Sequence, residues 1–274
     1  MKETIYTIPV TEAFQAECEC PLCKLETKLE NEYVDYVLGA SLMEPDSRKL
    51  TNEKGFCRKH FEQVYNKQEN KLGLGLIIDT HMLEHNKKLF RASGMKPDYV
   101  DTHKEEEHTK TMGLKGAVSS IFSNMGKKKE SAEPSNVNAG GAAIDRVISF
   151  LENYEEKCHI CDKLDYTMGR YIEVIFYLYF EESEFRKMFD LNKGFCFPHL
   201  KNMLKYAKKL DSKKRDQIVG IILKNQIDNM ERIEKEINWF TKKFDYRYDS
   251  EPWGNSRDAI PRSIKKLVGP CRFK

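Results

Sequence analysis

A short motif, Lys-Gly-Phe-Cys-x-x-His, occurs twice in this chain of 274 residues, as KGFCRKHF at 54–61 and as KGFCFPHL at 193–200. A C-x2-C pair lies upstream of each copy, CPLC at 20–23 and CHIC at 158–161. The gap between pair and motif is 33 residues from Cys23 to Cys57 and 34 residues from Cys161 to Cys196. Four matched cysteine and histidine positions at matched intervals indicate an internal duplication.

These positions carry the side chains that zinc prefers, because zinc takes four thiolate or imidazole ligands in a tetrahedron. A tight turn brings both sulfurs of C-x2-C onto one ion, and C-x2-H does the same at the first turn of a helix. We therefore predict two Cys3His zinc sites, one within each half. The predicted ligand sets are Cys20, Cys23, Cys57 and His60, and Cys158, Cys161, Cys196 and His199.

The energetics favour such sites. Closing a gap of this length costs about 3 kcal/mol of chain entropy, whereas a structural zinc contributes roughly 10 to 16 kcal/mol in small peptides. Gly55 and Gly194 suit the turns that precede Cys57 and Cys196, since a residue that adopts positive φ lets the chain turn abruptly. An iron–sulfur cluster is the alternative, because three cysteines and a histidine also hold iron. Reduced buried cysteines would explain single thiols, but not two matched sets.

The segments between the motifs have helical periodicity. Apolar residues recur at steps of three and four after Cys23, at Leu25, Leu29 and Tyr33, and a long helix is predicted after the cap Asp211. Convincing alternating strands are absent. The predicted fold is all-α, with two pseudo-repeated helical units that are each held by one Cys3His site.

Composition divides the chain further. Residues 104–143 contain KEEEHTK and GKKKESAEPSNVNAGG with few apolar anchors, so we expect a flexible linker there. The first repeat then spans 1–103 and the second 144–250. The tail at 251–274 begins with a turn around Trp253, and we expect it to pack on the body of the protein.

Charge and hydropathy argue against a nucleic-acid-binding protein, a membrane protein and a secreted protein. The formal net charge is only +3, from 46 basic and 43 acidic residues, so nucleic acid is not expected as the main partner. The longest apolar run, at 171–180, is about half of a membrane span, and the N-terminus lacks the features of a secretory signal. We therefore expect a cytoplasmic protein with reduced thiols, in which patterned cysteines favour metal or redox chemistry over structural disulfides.

Two further candidates lie outside the repeated motifs. His81-Met-Leu-Glu84-His85 matches the H-x-x-E-H pattern of inverzincin metallopeptidases, in which two histidines share a zinc and the glutamate is the base. Such a short pattern arises easily by chance in a helix rich in Lys and Glu. Cys18 has no counterpart in the second half, and it is either an alternative ligand, a reactive thiol or an incidental cysteine.

Several longer motifs together resemble one known family. CPLC, LGASLMEPDSR, TN-x2-GFC-x2-HF, LGLGLIIDTH and FDYR, together with the closing EPWGNSRDAIPR, are similar to an uncharacterised domain-of-unknown-function family of anaerobic Gram-positive bacteria. The resemblance covers most of the chain outside the predicted linker. It implies a bacterial cytosolic protein whose Cys/His motifs belong to the family pattern, and no activity.

The sequence thus favours a non-enzymatic role. The leading hypothesis is a scaffold or adaptor with two structural metal sites, predicted to hold two zinc ions, that binds an unknown protein partner. The alternative is a metal-dependent or thiol-dependent redox protein, in which the Cys3His sites or Cys18 change state.

Overall fold

The computed structural model describes residues 5–95, 137–155 and 157–271, with side chains throughout except at 137–140. All regular structure in these ranges is helical, so the predicted all-α class is confirmed. The α-helices are α1 (Thr7–Gln15), α2 (Pro21–Leu38), α3 (Pro45–Lys54), α4 (Arg58–Lys67), α5 (Lys71–Ser93), α6 (Val137–Glu155), α7 (His159–Glu181), α8 (Ser183–Asp190), α9 (Phe197–Ala207), α10 (Ser212–Lys242) and α11 (Ala259–Val268).

The two halves use their helices in the same order. A C-x2-C pair begins α2 in the first half and α7 in the second, and a C-x2-H motif begins α4 and α9. One short α-helix lies between them in each half, α3 or α8, and a 3-10 helix at Ala40–Met43 precedes α3. The predicted long helix after Asp211 is α10, and the Asp211 carboxylate caps it by accepting a hydrogen bond from the Lys214 backbone N–H at 3.0 Å.

Helices α2 and α7 pack against each other at the centre of the core, where Val34 and Ile172 are each 1% exposed. The hydroxyl of Tyr33, late in α2, lies 2.7 Å from that of Thr167, early in α7. At the other end, Phe14 of α1, which precedes α2, stacks on Phe189 of α8, which follows α7. The two central helices therefore run in opposite directions, and each begins beside the end of the other.

The C-terminal segment covers one end of this body. Helix α11 packs on α9 and α10. Trp253 lies against Phe240, near the end of α10, and Phe244, just after it. The buried Lys243 ammonium donates to three backbone carbonyls between 248 and 251. The tail is thus held by aromatic contacts and by one buried cation.

The predicted linker lies mostly outside the described residues, but its last positions, 137–143, belong to α6. Helix α6 packs along α5, where the Arg146 side chain donates to the Ala92 carbonyl at 3.0 Å. Nowhere in the described part of the chain does a helix have the length and apolarity that crossing a membrane requires.

Candidate metal centres

The first cluster of potential ligands, quartet A, lies where the N-termini of α2 and α9 meet. It consists of Cys20, Cys23, Cys196 and His199, whose ligand atoms all lie within 4.8 Å of one another. The His199 Nδ1 atom is 3.6, 3.4 and 3.1 Å from the three sulfurs in chain order. Three of the four residues are buried, and Cys23 is half-buried.

The second cluster, quartet B, lies where the N-termini of α4 and α7 meet. It consists of Cys57, His60, Cys158 and Cys161, again with all ligand atoms within 4.8 Å. The His60 Nδ1 atom lies 3.3, 3.2 and 3.4 Å from the three sulfurs in chain order. Both quartets therefore present three sulfurs and one imidazole nitrogen to a common centre.

The predicted assignment of ligands to one half each is wrong, although all eight predicted residues take part. Each C-x2-C pair lies beside the C-x2-H motif of the other half. The reason is helix length. With 18 residues at about 1.5 Å each, α2 carries the chain about 27 Å, and the C-x2-H motif that follows α3 contacts α2 at Glu30, in its second half. Cys57 therefore remains near the far end of α2, where the antiparallel α7 begins.

The quartets have the dimensions of a tetrahedral site. Zn–S bonds of about 2.3 Å and Zn–N bonds of about 2.0 Å place neighbouring ligand atoms roughly 3.5 to 3.8 Å apart. The sulfur-to-sulfur distance is 3.5 Å between Cys23 and Cys196 and 3.9 Å between Cys57 and Cys161. A single metal ion of this size fits each quartet.

The cysteine thiols of each quartet differ in pKa. Hydrogen bonds from Cys20 and Cys23 hold the pKa of Cys196 at about 4, and a hydrogen bond from Cys161 holds the pKa of Cys158 at about 3. The same hydrogen bonds raise the pKa of Cys23 and of Cys161. One thiolate is thus favoured in each quartet, and a divalent cation would allow the neighbouring thiols to ionise as well.

The model of a family of unknown function, DUF6062, matches residues 1–274. The chain is a member of the DUF6062 family. The expected membership of an uncharacterised family is therefore confirmed, while a bacterial origin stays a prediction. Comparison of the DUF6062 chain with curated proteins and with solved structures finds no match.

Each histidine of the DUF6062 quartets is oriented by a glutamate of α2, which the sequence did not single out. The His60 Nε2–H donates to Glu30 at 3.1 Å, and His199 Nε2 lies 3.5 Å from the Glu26 carboxylate. These contacts leave each Nδ1 directed at the sulfurs, as is usual for metal-bound histidines. The available signal was a pair of glutamates four residues apart, each directly after a leucine of the apolar helix face.

Glu30 is the more deeply buried of the two carboxylates, at 5% exposed. Burial alone would raise its pKa, but hydrogen bonds from His60, Lys59 and Gln63 outweigh this effect and hold the pKa at about 2. The pKa of the His60 imidazole is shifted in the other direction. Burial alone would lower it, but contacts with Cys158 and Glu30 outweigh burial and raise the pKa to about 9.

A buried lysine contacts the backbone of quartet A, and the sequence motifs did not predict this contact. The side chain of Lys266 in α11 is 0% exposed, and its ammonium donates to the backbone carbonyls of Glu19, at 2.8 Å, and of Lys193. These carbonyls lie just before the two cysteine-bearing turns. In quartet B the corresponding turns meet directly, because the His159 N–H donates to the Gly55 carbonyl at 3.0 Å.

The H-x-x-E-H pattern is not part of either quartet. Within the described ranges, the groups whose geometry suits a metal are quartets A and B. His81 is buried, with Nδ1 2.7 Å from the Asn52 carbonyl and Nε2 3.3 Å from the Tyr154 hydroxyl. Its imidazole packs against Gly55, so it supports the turn before Cys57.

A cleft of about 1090 Å³ opens beside quartet A. Its walls include two ligands of the quartet, Cys20 and Cys23, and the two cysteines that belong to neither quartet, Cys18 and Cys271. Quartet B contributes no residue to this cleft. The two candidate metal centres therefore differ in what surrounds them.

Proposed function

We propose that this protein is a helical scaffold in which two structural zinc ions join the two halves of the chain. The observation that carries the proposal is the crossed composition of the quartets, since each draws two ligands from each half. An ion in either quartet would cross-link α2 with α9, or α4 with α7. Bound metal would thereby stabilise the contact between the halves as well as each turn.

Zinc is favoured over an iron–sulfur cluster by the compactness of the quartets. All ligand atoms of each quartet lie within 4.8 Å of one another, as they do around a single ion. A cluster distributes its cysteines over several irons and therefore holds them farther apart. The three sulfurs and one imidazole of each quartet also complete a tetrahedron, which is typical of a structural site without an open position for substrate.

The proposed role is that of an adaptor for a protein partner in the cytoplasm. The nearly balanced charge does not favour nucleic acid as the main ligand. Closed Cys3His sites stabilise a surface rather than catalyse a reaction, which supports a non-enzymatic function.

The proposal is tested by the zinc content of paired cysteine variants. We expect two zinc ions per chain in the purified protein. The variant Cys23→Ser/Cys196→Ser changes one quartet only and should retain one zinc, whereas Cys23→Ser/Cys57→Ser changes both and should retain none. Elemental analysis and visible absorbance measure the outcome.

Two results would contradict the proposal. If the ligands were paired within each half, the Cys23/Cys57 variant would retain one zinc and the Cys23/Cys196 variant none. Visible absorbance together with stoichiometric iron and sulfide would exclude zinc as the resident metal.

A further inference from the structure

The distribution of cysteines around the two quartets is uneven. The chain has eight cysteines, and six of them belong to the quartets. The remaining two, Cys18 and Cys271, come from opposite ends of the sequence, yet both line the cleft beside quartet A. The cleft thus brings four cysteines together at one surface, two of them quartet ligands and two of them free thiols.

Within quartet A, Cys23 is the least buried of the three cysteines. Cys20 is 5% exposed and Cys196 is 0% exposed, whereas Cys23 is half-buried and lies in the wall of the cleft. If quartet A holds zinc as proposed above, three thiolates and one neutral imidazole leave the complex with a net charge of about −1. Negative charge remains on the sulfurs, so an exposed one keeps nucleophilic character.

Cys18 is close to the same turn. Its sulfur accepts a hydrogen bond from the backbone N–H of Cys20, which holds it next to the beginning of α2. Cys271 is held differently, since its thiol donates to the Gly269 carbonyl at 3.6 Å on the C-terminal wall of the cleft. Cys18 lies five residues before Cys23 and lines the same cleft, and because it is outside the quartet its thiol stays free while Cys20 and Cys196 hold the metal.

We propose that the cleft beside quartet A is a site of thiol modification by small peroxides, with Cys23 as the attacking thiolate and Cys18 as the thiol that then forms a disulfide with it. This inference rests on the proposed function, because it requires zinc in quartet A. It assigns a regulatory chemistry to quartet A and leaves quartet B as a purely structural site.

The chemistry has two steps. The Cys23 thiolate attacks one oxygen of hydrogen peroxide, an S–O bond forms, the O–O bond breaks and hydroxide leaves, so that sulfur is oxidised by two electrons to a sulfenic acid. The Cys18 thiol then attacks that sulfur, the S–O bond breaks, and the hydroxyl group leaves as water with the thiol proton. Cys23 would then no longer be a ligand, and the remaining three residues of quartet A would hold a zinc ion less tightly, which would favour its release. A dithiol reductant reverses the disulfide.

The experiment uses the full-length protein, purified under reducing conditions without oxygen and first analysed for zinc. Hydrogen peroxide is added in increments, released zinc is followed with a chromogenic indicator, and cysteine states are mapped by peptide mass spectrometry after the free thiols are blocked. We expect one zinc equivalent to be released before the second, together with a Cys18–Cys23 disulfide. Dithiothreitol and added zinc should restore two bound ions.

Two matched variants sharpen the test. In Cys18→Ser the sulfenic acid lacks its partner, so Cys23 should proceed to sulfinic acid and zinc should not rebind after dithiothreitol. Cys271→Ser should behave as the wild type. The peptide map of the wild type decides the question even if a variant fails to fold.

The outcomes separate this inference from the proposed function. Two zinc ions that are released together, or first oxidation at Cys57 or Cys161, would leave the zinc scaffold intact and overturn the inference. A disulfide that joins Cys23 to Cys271 would also overturn it, because Cys18 is the assigned partner. A protein isolated without zinc would contradict the proposed function and remove the zinc thiolate on which the inference depends.

Discussion

Single side chains outside the ligand sets decide how the quartets are built. Lys266 is the clearest case, because one buried ammonium contacts the backbone on both cysteine-bearing turns of quartet A. Burial lowers the pKa of this ammonium, and the nearby Glu19 carboxylate offsets this effect only in part. Lys266, near the C-terminus, thereby holds in place two turns of quartet A that are distant from it along the chain.

We expect Lys266→Met to reduce the free energy of unfolding by about 2 to 5 kcal/mol, because two partly buried carbonyls lose their charged donor. Urea denaturation followed by circular dichroism measures the change. Lys205→Met, at an exposed position of α9, is the control and should change stability by less than about 0.5 kcal/mol. Equal stability of the two variants would show that the Lys266 contacts contribute little.

The glutamates of α2 are expected to act on one quartet each. Glu30→Gln should weaken zinc binding at quartet B by roughly tenfold to a hundredfold, and Glu26→Gln should do the same at quartet A, because each histidine loses its charged acceptor. Competition with a chromophoric chelator measures both affinities. Glu32→Gln, exposed on the same helix, should leave both sites unchanged. An unaltered competition curve for Glu30→Gln would argue against an orienting role.

At the scale of elements, the turns before Cys57 and Cys196 depend on glycine. Gly55 and Gly194 have φ values of +57° and +78°, as predicted from the repeated motif. A Cβ at Gly55 would lie 2.5 Å from the His81 imidazole, and one at Gly194 would lie 2.9 Å from Gln226 Oε1. Both backbone conformation and neighbouring side chains therefore exclude a larger residue.

Alanine substitutions of glycines should therefore have opposite effects in different elements. Gly55→Ala is expected to reduce the free energy of unfolding by about 1 to 3 kcal/mol, from the positive φ and the displaced imidazole. Gly220→Ala, in an open stretch of α10 where the added Cβ meets nothing within 4 Å, should increase it by about 0.5 to 1 kcal/mol. Thermal unfolding of both variants provides the comparison, and a shift of the same sign in both would refute the argument.

The sequence predicted the helices and the eight clustered residues, but it could not predict their pairing. Periodicity and the repeated motifs depend on near neighbours along the chain. The proximity of Cys20 to Cys23, and of Cys57 to His60, could therefore be predicted from local sequence. The crossed pairing depends on the antiparallel packing of α2 and α7, which local patterns do not encode. Glu30 and Lys266 were missed for the same reason, since each contacts residues far away in the sequence.

At the scale of the whole molecule, the crossed quartets make the two halves depend on each other. Neither half contains a complete quartet in the observed arrangement. Each would also expose one face of a central helix, including Val34 and Val37 of α2 or Ile172 and Ile175 of α7, all at most 1% exposed in the intact chain. Metal binding and burial of apolar surface thus stabilise the same contact between the halves.

This dependence predicts the behaviour of separated fragments. Fragments 1–95 and 137–274, expressed separately, should each bind zinc weakly and remain poorly folded. When mixed with zinc they should form a 1:1 complex with two ions, because only the pair completes both quartets and buries the α2–α7 contact. Size-exclusion chromatography with light scattering and elemental analysis measures assembly. A matched pair in which Cys196→Ser removes one ligand should assemble with a single zinc. A fragment that folds alone around its own tightly bound zinc would instead show that the ligands pair within each half.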